Sequence, residues 1–445
     1  MPTLLPYLLL DLVVLFGATA FMLRRLAFWH PVTTYLVFHG YSFTWRAWQL
    51  YDGASPMYAE NLAFDVIRAE EFQRAMFFAD LALVAFVVAA HLAHRRFESR
   101  AQEPVKRRLI NRAVVYAIAA VCLPLGFYVF LTSKAGGFSE NVLTETNYFQ
   151  VMAMWPIGAL GLLIYLQGFR WYLLLPTGVY LALVSVQGYH RFMLVLPLIF
   201  FAAYYLQSRR QRWPGFLLFG GAILLFLVLP RLKFIGQAVQ TGDFGEAVQL
   251  VGDSFRSTRG LEQGSTNEQF LDQYAGALSM VDEYGKVYFG STYLAIITLP
   301  IPRSLWPGKP GLGDHTIEIS NARRQYDREG RIITYLGESY LNFRQTGVVA
   351  IPFLLGYLLT AWCLRATSGP LLRFDCYLYT VFSMAYIQLF RDGLLSIFVF
   401  TVVHNMPMLF AWILHHLPGF ATRVVDAPPA HPLAHEDLAA GPPTR

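Results

Sequence analysis

Val114–Thr132, VVYAIAAVCLPLGFYVFLT, carries no charged residue. At about 1.5 Å of rise per residue, a helix of that length crosses most of a hydrocarbon core about 30 Å thick. Comparable stretches recur at Leu4–Met22, Pro31–Leu50, Arg74–Ala93, Phe149–Gln167, Tyr172–Gln187, Phe192–Leu206, Phe216–Leu232, Val348–Leu364, Phe374–Phe390 and Ile397–Leu417. Together they make about eleven candidate spans. Only 14% of the 445 residues are charged and 55% are hydrophobic. Soluble domains carry roughly 25% charged residues, so the membrane is the solvent for most of this chain. The sequence predicts an all-α polytopic integral membrane protein of about 11 transmembrane helices, with one long extracytoplasmic loop containing short helices.

The predicted organisation is about eight spans over residues 1–232, a large polar loop over 233–346, and about three spans over 347–418. The Pro- and Ala-rich tail, 419–445, has no periodicity and is expected to be disordered and cytoplasmic. No basic residue precedes the first span, and Arg24-Arg25 follow it, so it reads as a retained anchor with its N-terminus outside. Basic residues then gather on alternate loops: Arg95-Arg96, Lys106-Arg107-Arg108, Arg170, Arg209-Arg210 and Arg365…Arg373. Excess Lys and Arg mark the cytoplasmic side, which places the N-terminus and the large loop in the periplasm and the C-terminus in the cytoplasm.

The net charge of +6 lies mostly in these short loops, where it reports topology and gives no reason to expect nucleic acid. Cys122, Cys363 and Cys376 all fall inside apolar spans, and buried small hydrophobes are the expected reading. Arg46, near the end of Pro31–Leu50, is expected to snorkel to the headgroups. No HExxH, Asp-x-Asp, Walker, Rossmann or Gly-x-Ser-x-Gly string is present, which argues against a nucleotide-fuelled or zinc-hydrolase enzyme. No paired broken helices of the transporter kind are evident from the sequence.

Chemistry is expected in the large loop, because loops carry sites that a rigid scaffold positions. Val287–Pro302 is apolar and aromatic but short and proline-ended, which fits a re-entrant or interfacial segment. It delivers Arg303, Trp306 and Lys309 on a shelf stiffened by Pro300, Pro302, Pro307 and Pro310. A guanidinium fork and an ammonium at headgroup level suit a lipid-linked phosphate; interfacial anchoring is the competing reading. Arg331 leads on to Tyr335-Leu-Gly-Glu-Ser-Tyr-Leu-Asn342, where helical spacing puts Glu338 and Asn342 on one face. A carboxylate in partly apolar surroundings there suits a general base or acid, or simply a helix N-terminus. His190-Arg191 and Arg391-Asp392 lie in short loops on the same side.

In its topology and in four strings the chain resembles the Wzy-type O-antigen, or oligosaccharide repeat-unit, polymerases. The strings are Gln187-Gly-Tyr-His-Arg191, Pro302-Arg-Ser-Leu-Trp-Pro-Gly-Lys-Pro310, Gly337-Glu-Ser-Tyr-Leu-Asn342 and Arg391-Asp-Gly-Leu394. It departs from the family's arginine–glycine spacing at Arg191, where Ala202 stands in the glycine's place; Arg231 and Gly242 fit it. The resemblance implies a bacterial inner-membrane glycosyltransferase without a cofactor or metal, whose substrate is a glycan on undecaprenyl diphosphate. The hydroxyl of an incoming repeat unit would attack the anomeric carbon of the growing chain as lipid diphosphate leaves. Glu338, Arg191 and Arg303 are then the expected catalytic residues. His190, Lys309, Arg331, Asn342 and Arg391 are expected to bind substrate, and Trp306, Tyr335 and Tyr340 to stack on sugar rings. A chain-length regulator and a flippase of the same pathway are implied partners. An O-antigen ligase, a lipid-linked glycan transporter and an assembly subunit remain as alternatives.

Overall fold

The structure, a computed structural model, describes residues 1–54, 68–100, 106–108, 110–132, 152–186, 192–216, 220, 270–285, 287–298, 301, 305–306, 334–368, 373–398, 401–402, 405–417 and 424–426. The described chain is helical apart from one short antiparallel pair. In order it contains α1 (Leu5–Met22), α2 (Pro31–His39), α3 (Trp45–Tyr51), α4 (Ala69–Arg100), α5 (Arg112–Thr132), α6 (Trp155–Gln167), α7 (Trp171–Val186) and α8 (Phe192–Ser208). The large loop contributes α9 (Phe270–Tyr284) and α10 (Ser291–Thr298). The C-terminal part holds α11 (Tyr335–Thr367), α12 (Phe374–Met384), α13 (Tyr386–Asp392), α14 (Leu394–Phe398) and α15 (Met406–His416).

Four helical stretches among the described residues are long and apolar enough to cross a membrane: Pro2–Arg25, Ala69–Phe97, Arg112–Thr132 and Tyr335–Thr367. Met152–Gln167, Trp171–Val184 and Met193–Ser208 are apolar but shorter. The weakly apolar segment Pro31–Leu50 is nevertheless helical, because α2 continues through a π-helical turn, Gly40–Thr44, into α3. The predicted span Phe216–Leu232 falls almost wholly outside the described residues.

The last two predicted spans are each broken. Phe374–Phe390 divides at Ala385 into α12 and α13. There the Ser383 hydroxyl donates to the Thr380 carbonyl at 2.8 Å, a back-bond that competes with the helical ladder. Ile397–Leu417 is interrupted at Asn405, whose φ of −122° and ψ of 45° are not helical; α15 follows with Pro407 in its first turn, where a missing N–H costs nothing.

The core runs through the junction of α2, α4, α11 and α13. Tyr35 packs against Phe86, Tyr335 and Phe390, with ring centroids 4.7–5.6 Å apart. All three cysteines are free and buried, in keeping with the apolar role expected of them. Arg46 does not snorkel. It is 5% exposed and grips Asp272 of α9 with two bonds, Nε to Oδ1 at 3.0 Å and Nη2 to Oδ2 at 2.7 Å. The carboxylate that makes burial tolerable comes from the large loop, so span and loop are one packed body here.

The tail is not structureless throughout. Val424–Asp426 (β2) pairs antiparallel with Lys106–Arg108 (β1), Arg107 opposite Val425. The tail and the α4–α5 connection therefore lie against each other.

Candidate functional site

Tyr335–Phe343, the first part of α11, positions the site. Thr334 caps it by accepting from the Gly337 N–H at 3.3 Å, satisfying one of the free donors of a helix start. The helix is interrupted at Arg344, which has φ 55° and ψ −144°. That conformation is costly for a residue with a Cβ. After the break the chain returns so closely that a Cβ on Gly347 would come within 2.1 Å of the Ser339 carbonyl oxygen. Glycine is required there by lack of space.

On one face of this short piece sit Glu338 and Asn342, as their spacing predicts. The structure joins them through a third residue, Thr292 at the start of α10. The Asn342 amide donates to Thr292 Oγ1 at 2.7 Å, and the Thr292 hydroxyl donates to Glu338 Oε1 at 3.1 Å. The other carboxylate oxygen, Oε2, accepts from the Leu394 N–H at 2.9 Å. Glu338 is partly exposed, and among the described residues no basic side chain forms an ion pair with it. The carboxylate is thus held by two neutral donors from two other elements. Such a group keeps its basicity better than one gripped by arginine.

Asn342 has a different part. It is fully buried; its amide also donates to the Glu338 carbonyl at 2.8 Å, and its Oδ1 accepts from the Gly290 N–H at 2.9 Å. With these bonds made it positions Glu338 and the α10 turn. Tyr335, 2% exposed among Tyr35 and Phe390, is a core residue, so the stacking role expected of it does not fit its burial. Arg391 lies against Asp392, Nε to Oδ1 at 3.1 Å, two residues before Gly393. Trp306 is 43% exposed, open enough for a ring platform. His190, Arg191, Arg303, Lys309 and Arg331 lie outside the described residues.

A second polar group flanks the first and was not expected from the sequence. Asp282 of α9 accepts from Arg74 of α4, from Arg344 at the α11 break, and from the Tyr340 hydroxyl at 2.7 Å. Arg74 also donates to Tyr340 and lies 5.3 Å from its ring centroid. Tyr340 is therefore bound into this network with 1% of its surface exposed. Burial alone would push the Asp282 carboxyl up, but the bonds from Tyr340 and Arg74 and the charges of Arg74 and Arg344 hold it below its ordinary value. The signal in the sequence was faint: single charges at the ends of apolar runs, far apart along the chain.

No family model, curated protein or solved structure matches this chain.

Proposed function

We propose that this protein is a membrane glycosyltransferase that polymerises lipid-diphosphate-linked oligosaccharide repeat units into a surface polysaccharide. The observation that carries the reading is Glu338: a half-buried glutamate at the junction of loop and membrane helices, its carboxylate held by the Thr292 hydroxyl and the Leu394 N–H. In this reading Glu338 takes the proton of the acceptor hydroxyl as that oxygen bonds to the anomeric carbon. The bond from that carbon to the diphosphate oxygen breaks, and the lipid diphosphate leaves with the electron pair. Arg191, Arg303, Lys309 and Arg331 are proposed to stabilise the departing charge. Trp306 offers an exposed face to a sugar ring. On the same reading the chain has about eleven spans in a bacterial inner membrane, with the large loop outside the cytoplasm.

Transport of a lipid-linked glycan is a second reading. It draws on the breaks at Ala385 and Asn405, since discontinuous helices are a transporter feature.

The test is Glu338→Gln, with Arg191→Ala and Arg303→Ala beside it, in the native host, with the polysaccharide displayed on a gel. A polymerase leaves single repeat units attached in the variants. Unchanged ladders in all three would remove the proposed site. Loss of all surface glycan, single units included, would favour a ligase or a transporter.

A further inference from the structure

Deep among α1, α2 and α4 lie Asp11, His39 and Asp80, one from each helix. Their side chains are 0%, 0% and 5% exposed. His39 Nε2 is 2.6 Å from Asp11 Oδ1 and 3.6 Å from Asp80 Oδ1. By helical rise Asp11 and Asp80 lie about 15 Å along their spans, near the middle of a bilayer. Ionisable side chains at such depth are expensive and mark function more often than packing.

The cluster is unsatisfied as it stands. Asp11 Oδ2, both oxygens of Asp80 and His39 Nδ1 are buried with no hydrogen-bond partner. The arginines that could offset the charge are engaged elsewhere: Arg46 with Asp272, Arg74 with Asp282 and Arg25 with His91. Buried charges are normally paired or ligate a metal. One proton held between Asp80 and Asp11 would serve an oxygen of each and leave the second Asp80 oxygen unpaired. One divalent cation would neutralise two carboxylates beside a neutral imidazole and engage all three side chains.

We propose that Asp11, His39 and Asp80 form a binding site for one divalent transition-metal cation of the zinc type, stapling α1, α2 and α4 together within the membrane. One donor atom from each residue lies within 4.8 Å of the others. Tetrahedral ligation at about 2.1 Å sets donors roughly 3.4 Å apart, so the 2.6 Å pair opens and the 3.6 Å pair closes slightly. An imidazole nitrogen and carboxylate oxygens are the donor set zinc accepts. The π turn Gly40–Thr44 begins directly after His39, and π turns collect at functional sites. It ends at Thr44, whose buried hydroxyl lies beside Asp11 and offers a further oxygen. Metal uptake displaces the proton between His39 and Asp11, which leaves to solvent.

The experiment uses the full-length chain without a histidine tag, purified in detergent without chelator and loaded with Zn²⁺ or Co²⁺. Metal content by mass spectrometry should be about one equivalent per chain in the wild type and fall at least about fivefold in Asp80→Asn and His39→Gln. Co²⁺ should give a tetrahedral visible spectrum, and chelation should lower the unfolding midpoint of the wild type but not of Asp80→Asn. If the variants do not fold, the wild-type metal content and Co²⁺ spectrum decide alone. Less than about a tenth of an equivalent after loading, or equal metal in wild type and Asp80→Asn, overturns the site. The first of these leaves a proton-binding cluster instead. None of these readouts depends on glycan synthesis, so the proposal stands or falls separately from the polymerase reading.

Discussion

Gly393 lies directly against the Glu338 carboxylate: a Cβ at position 393 would come within 2.4 Å of Glu338 Oε2. Gly393 has φ +94°, and the next residue supplies the N–H that Oε2 accepts. The break between α13 and α14 is thereby part of the site. It aims one backbone donor at the carboxylate and leaves no room for a side chain beside it.

Gly393→Ala should accordingly cripple activity while the spans still insert. A positive φ with ψ near 180° alone costs a residue with a Cβ about 1–3 kcal/mol, and the added methyl must push Glu338 off the Leu394 N–H. The expected result is a near-complete loss of polymer ladder at normal membrane abundance, read by gel and immunoblot. An unaltered ladder would mean that the Glu338–Leu394 contact is dispensable.

Thr292 relays between Asn342 and Glu338, accepting from one and donating to the other. Thr292→Val keeps the shape and removes both bonds, leaving buried polar groups unpaired at a cost of about 1–3 kcal/mol. Turnover should fall by roughly 10-fold or more, and Thr292→Ser should restore most of it. Equal activity of the valine and serine variants would show that Glu338 is held by Leu394 alone.

The Arg46–Asp272 pair ties α3 to α9 through two bonds in a buried setting. Removing one partner strands the other charge, at about 3–5 kcal/mol. Arg46→Met should therefore lower the thermal midpoint in detergent strongly, and so should Asp272→Leu. The double variant should be more stable than either single one, because no buried charge remains. Simple addition of the two losses would show that the pair is not coupled.

Asp282 lies outside the membrane-length helices, and its carboxyl is held below its ordinary value by Tyr340, Arg74 and Arg344 against the opposing effect of burial. A depressed folded-state value adds stability that is present above the unfolded value of about 3.9 and is lost as pH falls through the folded one. Wild-type protein should lose stability below about pH 4, and Asp282→Asn should be less stable at neutral pH with a shallower acid limb. Its partial exposure keeps the size of the effect modest. Parallel acid limbs in the two proteins would remove Asp282 as a contributor.

The sequence by itself determined the solvent and the grain of this protein. Uncharged runs such as Val114–Thr132 are helical because backbone groups in lipid must bond within their own segment, whatever the neighbours. The spacing of Glu338 and Asn342 likewise put them on one face, since helical periodicity is local. Tertiary structure decided what those residues meet. Hydropathy averages over a window, so it does not see the breaks at Ala385 and Asn405, which depend on the backbone angles of single residues. Thr292 reaches Glu338, Asp282 reaches Arg74 and Asp272 reaches Arg46 across long separations in sequence. The grouping of Asp11, His39 and Asp80 follows from how three helices pack. Each looked, in its own segment, like one polar interruption of an apolar run, because pairing between distant segments leaves no periodicity to read.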